Sequence, residues 1–369
     1  MRVCTSIIIL NWNGWEDTLE CLDSIFKAYN FNFNIVLLDN ASSDSSVQEI
    51  RSWVSQNVPL RDDTNTFQYV ELTESDLNRN IFNNFSQLGV PKFVFIKNDT
   101  NYGFAEGNNI GARFAIKYLG SQYILLLNND MIVQADFLQN LLTYIGRSEE
   151  IAVCSSKILF YHDPTIINYA GAAFTLLGRG DEIGFGQKDL SIYNVQKITG
   201  VPSGGAMLIR AKVIVENGLF DKAYFAYHED TDFAWRLWLL GYSIHYVPES
   251  VVYHKHRGSW GKKPTFRVYL GINNRMRNML KYLERRNLIL GIILQIILIT
   301  GEFTHYILDD RKIASAMLAG GAHFIKEIPT LLRQRKTIQA IRKVSDAELI
   351  EMGVLQTFDQ TLNCLIGKV

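Results

Sequence analysis

The sequence predicts an α/β protein: an open, mostly parallel, twisted sheet flanked by helices, continued by a helical C-terminal extension. Three observations predict it. Apolar runs of strand length alternate with segments of helical period through the first third. One of these runs, Tyr123–Leu127, is nearly continuously apolar, as a strand buried on both faces of a parallel sheet must be. Polar residues cluster immediately after the runs, where doubly wound sheets bind ligands beyond the carboxyl ends of their strands.

The elements follow in order. Ser6–Leu10 reads as the first strand rather than a signal peptide, because it stops at Asn11 with no small-residue cleavage pattern. A helix is expected around Asp17–Tyr29, then a strand at Asn34–Leu38 and a helix from near Asp44. Ser42, Ser43 and Asp44 are suitable caps for that helix. A polar stretch from about Arg61 to Pro91 reads as an insertion, a loop in which Leu72–Phe85 can form a surface helix. Alternation resumes with Phe93–Lys97, a helix near Glu106–Leu119, the strand at Tyr123 and a helix from near Ala135. Between Ala152 and His254 short strands mix with one clear helix, Thr231–Leu240, and from Arg267 onward the chain reads as helix. Two regions result: an α/β domain over 1–265 with the insertion at about 61–91, and a helical region over 266–369.

Composition excludes several classes. With 37 basic and 37 acidic residues among 369, the overall field favours no polyanion, against a dedicated nucleic-acid binder. Cys4, Cys21, Cys154 and Cys364 show no CxxC pairing and read as reduced thiols.

Five places carry candidate chemistry. Asp39, followed by Asn40, ends the second strand, where a carboxylate can accept hydrogen bonds from a nucleotide base or ribose, or simply turn the chain. A dinucleotide-binding oxidoreductase requires G-x-G-x-x-G after the first strand, and Asn11-Trp12-Asn13-Gly14-Trp15 stands there instead. Asn128-Asn129-Asp130 ends the apolar strand; Asp130 can bind Mg²⁺ or Mn²⁺, which keep few protein carboxylates while phosphates fill other positions, or lead an Asx-turn. His228-Glu229-Asp230-Thr231-Asp232 opens a helix, offering either a general base or carboxylates stabilised by the macrodipole. His254 can ligate a metal through a neutral ring nitrogen, and Ser203-Gly204-Gly205-Ala206 offers a side-chain-free wall or a plain turn.

Taken in order, these segments resemble the family 2 glycosyltransferases of GT-A fold, in their rhamnosyltransferase-like branch. The resemblance runs from about Cys4 to Gly261. It rests on Ile7–Asn13, Leu38–Asp44, Asn101-Tyr102-Gly103-Phe104-Ala105-Glu106-Gly107-Asn108-Asn109, Leu126–Asp130, Ser203–Ala206, Gly218–Asp221, Glu229–Asp232 and His254-Lys255. It implies that Asp39 contacts the base, with Asn11 in the loop that holds it. Asp130 matches the last acid of the D-x-D motif and binds the cation bridging the diphosphate; Asn128 replaces the first acid and touches ribose or phosphate. Asp230 matches the catalytic base and His254 a late metal or diphosphate ligand. Asn108, Asn129, Gly204, Gly205 and Glu229 complete the expected donor site. The implied reaction is a single inverting displacement from a dTDP- or UDP-sugar, rhamnose by branch resemblance, to a hydroxyl of a glycan or lipid-linked acceptor in cell-surface polysaccharide or glycolipid synthesis.

Leu288–Leu308 holds an apolar stretch shorter than the roughly 20 residues of a spanning helix. Lys281, Arg285 and Arg286 precede it; Arg311, Lys312 and further basic residues follow. The pattern suits helices lying on an anionic membrane, a buried helical cap or a dimer contact, with a single true span as the third option. The first option places the protein in the cytoplasm at the inner face of the plasma membrane. Competing functions are a sugar nucleotidyltransferase, for which Asn11–Trp15 lacks a basic residue, a non-catalytic glycan- or nucleotide-sugar-binding homologue, which needs no base, and a metal-dependent hydrolase, which wants a denser ligand set.

Overall fold

The computed structural model describes residues 5–28, 33–58, 68–77, 91–255 and 264–367. Cys4, Tyr29, His256 and most of the 61–91 stretch lie outside the described residues.

The N-terminal half is built from strands β1 (Thr5–Asn11), β2 (Phe33–Asp39), β3 (Gln68–Thr73), β4 (Lys92–Lys97) and β5 (Tyr123–Asn128). They lie side by side in the order β3-β4-β2-β1-β5, all parallel. Ile7–Ile9, Ile35–Leu38, Phe93–Ile96 and Ile124–Leu126 are fully buried, because helices cover both faces. The covering helices are α1 (Trp15–Ala28), α2 (Ser46–Asn57), the one-turn α3 (Glu74–Leu77) and α4 (Gly103–Leu119). Part of the expected insertion is therefore structural: residues 68–73 extend the sheet as its edge strand instead of looping out.

The capping expectation for α2 is corrected. Its N-cap is Ser45, which makes no side-chain cap bond, while Asp44 Oδ1 accepts from Ser46 N at 3.0 Å. Ser42 and Ser43 are drawn away by the first-strand loop, where Ser42 Oγ accepts from Asn13 N at 2.9 Å and Ser43 N donates to Asn13 Oδ1 at 2.8 Å.

Beyond β5 the sheet becomes mixed. The further strands are β6 (Met131–Val133), β7 (Ile151–Phe160), β8 (Ile167–Tyr169), β9 (Ala172–Phe174), β10 (Gly180–Glu182), β11 (Lys197–Ile198), β12 (Ala206–Arg210) and β13 (Ser243–His254). β12 pairs antiparallel with both β5 and β7, and β13 runs parallel to β7. The strands here are not uniformly short: β7 has 10 residues and β13 has 12. Helices α5 (Phe137–Ile145), α6 (Ala211–Asn217) and α7 (Glu229–Leu239) belong to this half.

The chain ends in α8 (Pro264–Tyr282), α9 (Arg285–Asp309), α10 (Arg311–Ile341), α11 (Asp346–Glu351) and α12 (Phe358–Leu365). α8 packs on α7 and the core, burying Asn273, Asn274, Arg277, Asn278 and Lys281. α9 behaves differently. It is the one described helix whose length and composition suffice to cross a membrane, its best 18-residue window having a mean hydropathy of 1.8. Only Gly291, Leu294 and Gln295 of it are buried, so the expectation of a buried cap fails.

Candidate active site

The ends of β1, β2 and β5 converge. Asn11 Nδ2 donates to Asp39 Oδ1 at 2.8 Å, Ser42 Oγ to the same oxygen at 2.6 Å, and Ser42 N to Asp39 Oδ2 at 3.0 Å. Thr18 Oγ1 donates to Asn11 Oδ1 at 2.8 Å, and Asn129 Nδ2 donates to Thr18 Oγ1 at 3.0 Å and to Gly14 O at 3.2 Å. Asp39 is thus buried in a closed network, fixed by the parallel register that sets Asn11 beside it. Asn129 fastens β5 to α1. Asn108 is spent within α4, its Nδ2 donating to Phe104 O at 2.9 Å, and it is not among the residues lining the cavity described below.

Asp130 and His254 meet because β6, directly after Asp130, pairs antiparallel with the end of β13, Met131 opposite His254. His254 Nε2 lies 3.1 Å from Asp130 Oδ2, and its Nδ1 lies 3.1 Å from Asn168 Oδ1. Lys255, next in sequence, is buried against Asp17 and Glu20 of α1 and locks this corner. No group of three or more His, Cys, Asp or Glu capable of holding a metal occurs among the described residues. A carboxylate beside an imidazole whose other nitrogen meets the Asn168 amide oxygen still fits Mg²⁺ or Mn²⁺, which accept substrate phosphate oxygens for the remaining positions.

A cavity of about 360 Å³ opens beside this corner. Asn128, Gly204, Gly205, Glu229 and Asp230 border it on one side, Tyr169, Gly180 and Glu182 on another. Asp230 Oδ2 accepts from Gly204 N at 3.3 Å and its Oδ1 from Thr231 N at 2.6 Å. A Cβ at Gly204 would sit 3.3 Å from Asp230 Oδ2, so the glycine lets backbone and carboxylate approach.

The three acids of Glu229–Asp232 divide by environment. Burial raises the pKa of Asp230 despite the backbone N–H groups of Thr231 and Gly204. Burial, then the neighbouring Asp230, pushes Glu229 well above the usual range, and its Oε2 has no hydrogen-bond partner among the described residues. Asp232 is the opposite case. Burial alone would raise it, but Lys281 and Arg236 hold it far below the usual range, with Tyr282 Oη donating at 2.6 Å. Its role is structural.

The loop before α7 is strained: Phe225, Tyr227 and His228 have φ of 60°, 67° and 65°. α8 holds it there. Asn274 Nδ2 donates to the carbonyls of Tyr224, Ala226 and Tyr227 at 3.0, 3.0 and 2.8 Å, and Asn278 Nδ2 to His228 O at 3.3 Å. At Gly103, opposite, a Cβ would meet Phe225 O at 2.4 Å, which explains the glycine opening α4.

Two residues were missed in the sequence. Glu182 contacts solvent at the cavity mouth, yet surrounding protein and then the charge of Asp230 push its carboxyl up to about 7. Asn274 sits in a polar helix segment with no motif around it; a signal for either is confined to burial.

Comparison with known proteins agrees with this architecture. Residues 123–320 match the family model described as glycosyl transferase family group 2, and residues 6–68 match glycosyl transferase family 2. The rhamnosyltransferase WbbL of Escherichia coli K12 is 30% identical over 202 residues, covering 51% of this chain and 72% of that protein. The low-salt glycan biosynthesis hexosyltransferase Agl10 of Haloferax volcanii is 23% identical over 235 residues, covering 63% of this chain and 60% of that one. A crystal structure of GalNAc-T7 with UDP, GalNAc and Mn²⁺ superposes with a TM-score of 0.54 at 17% identity, over 77% of this chain and 48% of that chain, and supports the GT-A fold.

Proposed function

Because this chain belongs to glycosyl transferase family 2, we propose that it is a metal-dependent inverting transferase, carrying a sugar from a dTDP- or UDP-sugar to an acceptor hydroxyl. Rhamnose is the sugar favoured by the likeness to the E. coli rhamnosyltransferase. The observation that carries this reading is the convergence of Asn128 and Asp230 on one cavity, with Asp130 paired to His254 directly beyond the strand that ends at Asn128.

Asp39 and Asn11 form the base-recognising corner, and Asn128 reaches the ribose or phosphate. Asp130 and His254 would hold Mg²⁺ or Mn²⁺, which would neutralise charge on the departing diphosphate. Asp230 accepts the proton of the acceptor hydroxyl while that oxygen attacks the anomeric carbon. Its raised proton affinity suits a base working near neutral pH. The leaving group departs from the opposite face, so the configuration inverts. The uncharged Gly204–Gly205 wall lets the sugar lie close to the backbone.

Calorimetry with UDP and dTDP, each with Mn²⁺ and with EDTA, tests the donor site. One of them is expected to bind with Mn²⁺ and to lose that affinity in EDTA, and Asp130→Ala is expected to weaken the Mn²⁺-dependent binding about tenfold, roughly 1.4 kcal/mol. Absence of binding by either nucleotide would sink the reading.

The same reading places the enzyme at the inner face of the plasma membrane, with a glycan or lipid-linked acceptor. Ile289, Ile292, Ile293, Ile296 and Ile297 form an exposed stripe along α9 at helical spacing, with Leu318, Ile325 and Leu332 exposed on α10. Arg285, Arg286, Arg311 and Lys312 flank the stripe, as anionic headgroups require. Flotation with vesicles of phosphatidylcholine and phosphatidylglycerol should carry the protein, and the double change Ile292→Glu with Ile296→Glu should release it. Equal flotation of both proteins would refute membrane docking.

A further inference from the structure

The cavity beside Asp230 has a far wall to which the donor reading gives no task. It is the hairpin of β9 and β10, which brings Gly180 and Glu182 to the lining. The end of the chain fastens this hairpin from behind. Phe174 N donates to Val354 O, and Gln356 N to Phe174 O, both at 2.8 Å. Gln356 Nε2 donates to Asp181 Oδ2 at 2.6 Å, and Cys364 Sγ lies 3.2 Å from Asp181 Oδ1. Successive side chains of a strand point to opposite faces. With Asp181 tied to the C-terminal segment, its neighbour Glu182 is turned toward the cavity.

The lining has a marked chemical character. Among the described residues it contains the carboxyls of Glu182, Glu229 and Asp230 and no lysine or arginine. Glu229 is 95% buried by its 5% exposure, borders the cavity, and carries an oxygen without a partner there. A buried acceptor left unmet is costly, so an incoming hydroxyl gains by reaching it. Tyr169, Val201 and Pro202 add an apolar strip suited to the C–H face of a pyranose. On its Glu182 side a cavity of this kind receives a neutral polyhydroxylated group and disfavours an acidic sugar.

We propose that Glu182 is a specificity-determining contact for the acceptor, taking a hydrogen bond from an acceptor sugar hydroxyl, and that the segment 354–364 aims it. The proposal rests on the transferase reading and names the acceptor's chemistry at that site. Gln356 acts through Asp181 and is a positioning residue.

The test uses the full chain with the UDP- or dTDP-sugar chosen by nucleotide binding, offered with octyl glycosides of glucose, mannose and N-acetylglucosamine and with octyl glucuronide. Nucleoside diphosphate release is followed with and without each glycoside. At least one neutral glycoside is expected to accelerate release, and the glucuronide is not. Glu182→Ala should raise the KM for that glycoside about tenfold, well beyond any change in donor KM or acceptor-free hydrolysis. Glu182→Gln, which keeps an accepting oxygen, should raise it about threefold. Gln356→Ala should raise acceptor KM with kcat and Mn²⁺-dependent nucleotide binding unchanged. Equal changes in hydrolysis and transfer, an unchanged acceptor KM in Glu182→Ala, or a failure of every neutral glycoside to accelerate release would overturn the proposal. Loss of nucleotide binding by the unmutated chain would count instead against the transferase reading.

Discussion

The corner around Asp39 and the start of α7 both bury carboxylates, and they treat them in opposite ways. Asp39 has its oxygens met by Asn11, Ser42 and the Ser42 backbone N–H. At α7, buried Glu229 keeps Oε2 without a partner among the described residues, half-buried Asp230 accepts only from Gly204 N and from Thr231 N and Oγ1, and burial lifts the proton affinity of both. Binding a nucleotide base requires acceptors fixed in advance, whereas moving a proton requires a carboxylate whose charge is not already neutralised. Asp232, two residues after Asp230, shows that α7 could have been stabilised in the first manner throughout, since Lys281, Arg236 and Tyr282 satisfy it.

The largest expected effect comes from removing the reactive carboxylate. Asp230→Asn should lower transfer by about 10²–10⁴-fold, the usual contribution of a general base. Nucleotide binding and the urea midpoint should hold or rise, because a buried charge disappears; a lost nucleotide site would show that Asp230 belongs to the first kind of carboxylate.

Next comes Asp232→Ala. It takes the carboxylate away from buried Lys281 and half-buried Arg236 and should cost about 3–5 kcal/mol in urea unfolding at pH 7. The folded pKa of Asp232 is depressed, so its contribution is present above the unfolded value near 4 and fades as the pH falls through the folded value. The difference between wild type and Asp232→Ala should therefore shrink below about pH 4, and a gap constant with pH would mean that the charge is not what matters.

The smallest effect is expected at the corner. Asn11→Ala removes hydrogen bonds to Asp39 and Thr18 while Ser42 remains on Asp39, for a loss of about 1–2 kcal/mol. Nucleotide affinity should fall with it; a full-strength site in this variant would mean that Ser42 alone presets Asp39.

Much of the parallel half of the sheet was legible in the sequence because its signals are local. β1, β2, β4 and β5 are continuous apolar runs, each followed by its polar residues, and the structure places them within a residue or two of expectation. The cavity half was less so. β6 is only Met131–Val133, too short to carry a period, yet it is what delivers Asp130 to His254. Glu182 ends a three-residue strand paired only with the equally short β9 at Ala172–Phe174, and its anchor, Gln356, is remote in sequence. The Asx-turn option at Asp130 and the capping option at Asp232 looked alike in sequence, because only tertiary partners separate a ligand from an ion pair.

Asn274 has a consequence for the order in which the protein acquires its competence during synthesis. The backbone bend at 225–228 is wound against the preference of its own residues, and one amide on a helix about 50 positions later gathers three of its carbonyls. A nascent chain that has emerged only as far as β13 holds every strand of the sheet but lacks that grip. Such a chain is expected to own the Asn11–Asp39 corner before the start of α7, with Asp230, is anchored, so the two regions are completed in sequence.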